Sequence, residues 1–141
     1  MLEIKKYAAI DIGSNAIRLL VSNIVIDKDN DPQFKKSSLV RVPIRLGADA
    51  FVNGEISQDN INRMIDAMKA FNLLMKVHGV EKYKACATSA MREASNGTEV
   101  VQQILEKTNI EIDVIDGKKE AAIIFSTDLS ELIESDQSYL Y

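Results

Sequence analysis

The stretch AAIDIGSNAIRLLVSNI, residues 8–24, decides how the rest of the chain is read. An apolar run stops at Asp11, three turn formers follow (Gly13, Ser14 and Asn15), and a second apolar run begins at once. Short apolar runs bounded by turn residues read as strands. Tyr7–Ile12 and Ile17–Ile26 are therefore predicted strands joined by a very tight turn. DKDNDP, residues 27–32, is dense in Asp, Asn and Pro and reads as the next turn. Lys35–Leu46 then supplies a third strand, with Leu39, Val40, Val42 and Ile44 as its apolar positions. The chain thus opens as a three-stranded antiparallel meander.

Beyond the meander, helices alternate with strands. RLGADAFVNGEIS, residues 45–57, reads as a loop ending in Ser57, a good helix N-cap. Ile61, Met64, Ile65, Met68, Phe71 and Met75 recur at steps of three and four, which predicts one helix over 58–77, stopped by Gly79. Residues 83–88 (YKACAT) form a short buried strand. Asn96 and Glu99 give a capping-box-like start to a second helix, with Val100, Val101, Ile104 and Leu105 on its apolar face. IEIDVI, residues 110–115, alternates like a strand. Gly117 and Lys118 lead to a third helix carrying Ala121, Ile124 and Leu129, and residues 138–141 read as the start of another strand. The order β-β-β-α-β-α-β-α implies an α/β layer fold with a mixed sheet in a single domain.

Bulk properties narrow the function. The 141 residues suffice for one domain with a real core, and 46% hydrophobic with 27% charged residues is a globular balance. A net charge of −4 offers no basic footprint for nucleic acid or an anionic membrane. No apolar run approaches the roughly 18 residues of a membrane span. The N-terminal apolar stretch is too short for a signal peptide, so a cytoplasmic location is expected. One cysteine excludes an internal disulfide framework, and one histidine leaves little for zinc. A bound metal is expected to be a hard cation on oxygen ligands.

Three turns could carry chemistry. In DIGSN, a strand ends in a carboxylate, Asp11. Gly13 allows a sharp turn, and the amides of Gly13, Ser14 and Asn15 can form an anion-binding nest suited to phosphate. Asp11 can hold a divalent cation through water or orient a water nucleophile, and Arg18 lies within reach of the same mouth or faces solvent. A plain hairpin uses the same residue types. In ATSAMREASNG, residues 87–97, small hydroxyl residues end a strand and Arg92 follows, the side chain best suited to bidentate phosphate binding. A strand end beside a solvated Arg92–Glu93 pair reads equally well. In VIDGKKEAAII, residues 114–124, Glu120 falls in a first helical turn, where it favours the helix dipole or serves as a general base. Each turn follows the C-terminal end of a predicted strand. Parallel strands gather such ends on one edge, where ligands bind.

With these motifs in order, the chain resembles the exopolyphosphatase and guanosine pentaphosphate phosphatase family, part of the actin-like ATPase superfamily. AAIDIGSNAIRLLV resembles the family's first phosphate loop, and RLG with the later GEIS matches the segment before its first long helix. ATSAMREASNG is similar to its AT-[SN]-A-x-R signature, and VIDGKKEA to its strand-Gly-Glu motif. The resemblance implies a ribonuclease-H-like lobe with a mixed five-stranded sheet and flanking helices. It implies Asp11 near Mg²⁺, phosphate contacts from Gly13, Ser14, Asn15, Ser89 and Arg92, and Glu120 as catalytic base. The implied substrate is polyphosphate or guanosine pentaphosphate, with a homodimer possible for the full-length protein.

Three positions depart from the family pattern. Ala16 replaces a usual hydroxyl, Lys119 a usual acid, and Ala122 a usual Arg. Residues 1–141 are expected to be one lobe of two, nearly inactive alone because the family's second phosphate loop lies in the other. Two alternatives remain open from the residues: an ATP-binding actin-like kinase or switch, and a non-catalytic sensor of phosphorylated ligands.

Overall fold

The computed structural model describes residues 2–27 and 29–115. The predicted third helix, the strand at 138–141 and Glu120 lie outside these residues. The described chain runs β1 (Leu2–Ile12), β2 (Ile17–Asp27), β3 (Asn30–Val42), α1 (Leu46–Ala48), a π-helical turn (Asp49–Asn53), α2 (Gln58–His78), β4 (Lys82–Ala87), α3 (Ser89–Glu93), α4 (Gly97–Thr108) and β5 (Ile112–Val114). The strands form one five-stranded sheet in the order β3-β2-β1-β4-β5. β1, β2 and β3 pair antiparallel, while β4 lies parallel to both β1 and β5. The expected meander and parallel crossovers are both present.

β1 is the middle strand, and its alternation divides the sheet. Ala8, Ile10 and Ile12, with Ile17, Leu19 and Val21 of β2 and Ala85 and Ala87 of β4, join the main core. Tyr7, with Leu20 and Ile24, forms a smaller cluster. The main core continues through α2, where Ile61, Met64, Ile65, Met68, Phe71 and Met75 are buried. Such large side chains contribute roughly 1.5–3 kcal/mol each, so the methionine stripe is core. Both ends of α2 are set by sequence. The Ser57 hydroxyl accepts from the Asn60 amide at 3.2 Å. Gly79 adopts φ 75°, and the Gly79 and Val80 amides donate back to Lys76 and Met75 carbonyls at 3.1 and 2.9 Å. That is the Schellman stop, in which a left-handed residue favours glycine. Among the described residues no helix is long and apolar enough to cross a membrane.

Three local expectations are corrected. β3 spans Asn30–Val42, not residues 35–46. Asp27 pairs with Asn30, so the turn is short and Pro32 lies within the strand. The β2–β3 register shifts here and gives Pro32 no partner, and an irregularity on an edge strand is where a sheet tolerates proline. Second, residues 45–57 are not simply a loop: α1 and the π-helical turn fill 46–53. Third, Asn96 makes no cap bond to α4. Its amide instead clamps Ile56, accepting from the Ile56 N–H at 2.8 Å and donating to the Ile56 carbonyl at 2.9 Å.

Candidate functional site

The tight turn at 13–16 is closed by the Gly13 N–H, which donates to the Ala16 carbonyl at 3.0 Å. This amide is therefore spent within the turn rather than offered to an anion. Gly13 does not have a positive φ, and an added Cβ would meet only the Ala16 carbonyl, at 3.3 Å. The Ser14 carbonyl accepts from the Gly47 N–H at 2.8 Å. A Cβ on Gly47 would lie 3.1 Å from the Ser14 Cβ. The RLG segment thus props the turn from behind, and its glycine is needed for that close approach. Asp49 anchors the prop to α2 by accepting from the Ser57 N–H at 2.9 Å and the Asn60 side-chain amide at 2.8 Å. Burial pushes the Asp49 carboxyl up, but these hydrogen bonds outweigh it and hold the group below 3.8.

In front of the turn lies an open cavity of about 350 Å³. The turn supplies Gly13, Ser14, Asn15 and Ala16 to its wall. Thr88 and Ser89, where β4 passes into α3, close the opposite side. This closeness follows from the parallel pairing of β1 and β4, in which Ile12 is level with Ala87 and the Thr88 N–H reaches the Ile12 carbonyl at 3.3 Å. Asp11, Arg18 and Arg41 complete the lining.

Asp11 is 0% exposed. One oxygen, Oδ2, accepts a hydrogen bond from Arg18 Nη2, with which it forms an ion pair. The other, Oδ1, is buried without a partner. Burial pushes this carboxyl above its ordinary value of 3.8, and the Arg18 hydrogen bond and charge offset only part of that. Among the described residues no cluster of three or more His, Cys, Asp or Glu side chains could cage a metal. A single carboxylate with one oxygen to spare fits a hard cation that keeps its waters and shares ligand phosphates.

Of the site residues expected from sequence, Asp11, Gly13, Ser14, Asn15 and Ser89 meet at this cavity. Arg92 does not line it. Its Nη1 donates to the Ile115 carbonyl at 3.0 Å, and its Nε lies 3.5 Å from Glu93. Glu120 lies outside the described residues. Sequence reasoning passed over Arg41. Its signal was present: Arg41 lies between Val40 and Val42, on the opposite side of the strand from those apolar positions, and stands opposite Arg18 in the β2–β3 register.

A family model described as the Ppx/GppA phosphatase family matches residues 25–141. A bifunctional 3-dehydroquinate synthase/phosphatase of Fusobacterium nucleatum is 34% identical over 121 residues, covering 84% of this chain and 18% of that protein. Exopolyphosphatase 1 of Mycobacterium tuberculosis is 25% identical over 120 residues, covering 85% of this chain and 34% of the relative. A crystal structure of the Aquifex aeolicus member of the Ppx/GppA family superposes with a TM-score of 0.73 at 29% identity, covering 81% of this chain and 36% of that one. An exopolyphosphatase from Cytophaga hutchinsonii gives 0.73 at 30% identity, covering 86% and 37%. The chain therefore spans about a third of the length of the exopolyphosphatases it matches. The mixed five-stranded sheet with its helices is the actin-like ATPase architecture of these structures.

Proposed function

The chain belongs to the Ppx/GppA phosphatase family, and from that premise we propose that it is the phosphate-gripping lobe of a phosphohydrolase. The substrates are the terminal phosphoanhydrides of polyphosphate, of guanosine pentaphosphate, or of both. One observation carries the reading. The turn at 13–16 and the Thr88–Ser89 step face each other across a cavity floored by a buried carboxylate and its arginine. The Ser14 and Asn15 amides have no protein acceptor among the described residues, and with the nearby hydroxyls they can receive phosphate oxygens. The exopolyphosphatases among the relatives favour polyphosphate as the substrate class.

Water attacks the terminal phosphorus, the bond to the bridging oxygen breaks, and orthophosphate leaves a chain shortened by one unit. Glu120 takes the proton of the attacking water. Ser14, Asn15 and Ser89 orient the terminal group, and Arg92 exchanges the Ile115 carbonyl for a phosphate oxygen. Such charge-assisted donors stabilise the charge spread over the equatorial oxygens. Asp11 Oδ1 would hold Mg²⁺ through water, and the cation would supply neutralisation of phosphate charge. The rest of the phosphate clamp comes from a second lobe, so residues 1–141 alone should turn over little substrate.

The test is phosphate release from long-chain polyphosphate and from guanosine pentaphosphate with Mg²⁺, using a two-lobe protein that carries this chain. The expected result is turnover that Glu120→Ala lowers by about 10²–10⁴-fold, the range for a general base. Wild-type rates in Glu120→Ala would remove the base assignment. ATP binding with no release from either substrate would favour an ATP-dependent kinase or switch.

A further inference from the structure

Arg41 is exposed on β3, borders the cavity, and has no ion-pair or hydrogen-bond partner among the described residues. It stands directly opposite Arg18 in the β2–β3 register. Like charges in that position repel and normally destabilise a strand pair. Arg18 pairs with Asp11 on its other side, but among the described residues no acid pairs with Arg41. Two cations and one carboxylate thus border the cavity, and the excess positive charge lies at its β3 end. Two strand spacings, roughly 10 Å, separate the strand of Asp11 from that of Arg41. That is more than one orthophosphate spans.

We propose that Arg41 binds a second phosphate of a linear phosphoanhydride whose terminal phosphate sits at the 13–16 turn, so that it selects chains over single phosphates. This rests on the phosphohydrolase reading and adds a direction to it: the ligand crosses β2 towards the β3 edge. A guanidinium suits the task because its fork can take two oxygens of one phosphate. Its exposure lets it engage internal units of a chain without the desolvation cost of a buried cation.

The test is calorimetric titration of the chain with orthophosphate and with tripolyphosphate, in Mg²⁺ at one fixed ionic strength. Three variants are compared with wild type: Arg41→Gln, Arg41→Lys, and Lys69→Gln, a loss of one exposed charge on α2 outside the cavity lining. Wild type should bind tripolyphosphate more tightly than orthophosphate. Arg41→Gln should weaken tripolyphosphate about tenfold, the usual scale of a charge-assisted contact, with orthophosphate unchanged. Arg41→Lys should recover part of the loss, and Lys69→Gln should move neither ligand. Equal weakening of both ligands, no weakening, or the same effect from Lys69→Gln overturns the role of Arg41 and leaves the phosphohydrolase reading standing. Failure of wild type to bind tripolyphosphate likewise overturns the role of Arg41, whereas the phosphohydrolase reading falls only if the two-lobe protein releases no phosphate.

Discussion

Asp11 and Arg18 stand directly opposite each other on β1 and β2 and form an ion pair, yet only one of them has left the solvent. The Asp11 side chain is 0% exposed and the Arg18 side chain 34%. Burial dominates, so the folded-state value of Asp11 lies above the unfolded one. A carboxyl raised on folding contributes stability that is complete below the unfolded value, near 3.8, and is lost as pH climbs through the folded value. Asp11→Asn keeps an oxygen for Arg18 and removes the buried charge. Its thermal midpoint should therefore gain on wild type as pH rises above 3.8, and at pH 7 it should be at least as stable while losing Mg²⁺-dependent phosphate binding. Melting curves between pH 3.5 and 8 check this, and a difference that does not change with pH would sink it.

Gly47 couples the RLG segment to the turn at 13–16 through one close contact. Gly47→Ala puts a methyl 3.1 Å from the Ser14 Cβ, against the residue whose carbonyl the Gly47 amide holds. Relief requires the turn to shift by a few tenths of an ångström. The expected stability loss is about 1 kcal/mol, with a tripolyphosphate affinity roughly tenfold weaker. Unchanged affinity beside the same stability loss would show that the prop does not set the turn's geometry.

Asn96 works as a clamp rather than a cap. Asn96→Ala strips partners from both the N–H and the carbonyl of Ile56, a residue 2% exposed, and should cost about 1–3 kcal/mol in urea denaturation. Asn96→Asp keeps the acceptor for the Ile56 N–H and loses the donor, so it should fall between wild type and Asn96→Ala. Were Asn96 only a helix cap, Asn96→Asp would match wild type.

Two glycines separate contact from conformation. A Cβ on Gly97 would stand 2.1 Å from the Met91 carbonyl oxygen, a backbone atom that cannot rotate away. Gly79 has φ 75° and nothing within 4 Å of an added Cβ. Gly79→Ala should cost about 1–2 kcal/mol from the left-handed backbone alone. Gly97→Ala should exceed it, because α3 must separate from the start of α4. Equal costs would mean that α3 moves freely on α4.

Much of this was legible in the sequence because the signals were local. The three-and-four spacing along 61–75 fixed α2, and Ser57 and Gly79 fixed its ends. The two apolar runs on either side of Gly13, Ser14 and Asn15 placed the turn at a strand end. What escaped depended on partners distant in the chain. Residues 30–34 carry turn formers, and only pairing with β2 makes them strand. Asn96 has a capping sequence, but the Ile56 backbone, 40 residues away, competes for its amide and wins. Gly13 reads as an anion-binding amide until its N–H is seen to donate to the Ala16 carbonyl. Arg41 gains meaning only when the register sets it opposite Arg18.

The middle position of β1 also sets an order of assembly. Its pairing with β2 closes a loop of only four residues, 13–16, whereas its pairing with β4 joins Tyr7 to Lys82, 75 positions along. Closure entropy makes the second step the slower. The turn at 13–16 is therefore formed in the first hairpin, but the opposite wall of the cavity, Thr88 and Ser89, arrives only when the parallel pair zips shut. During synthesis, phosphate binding should accordingly appear late. Pulse-labelled exchange should protect β2 amides before those of β4.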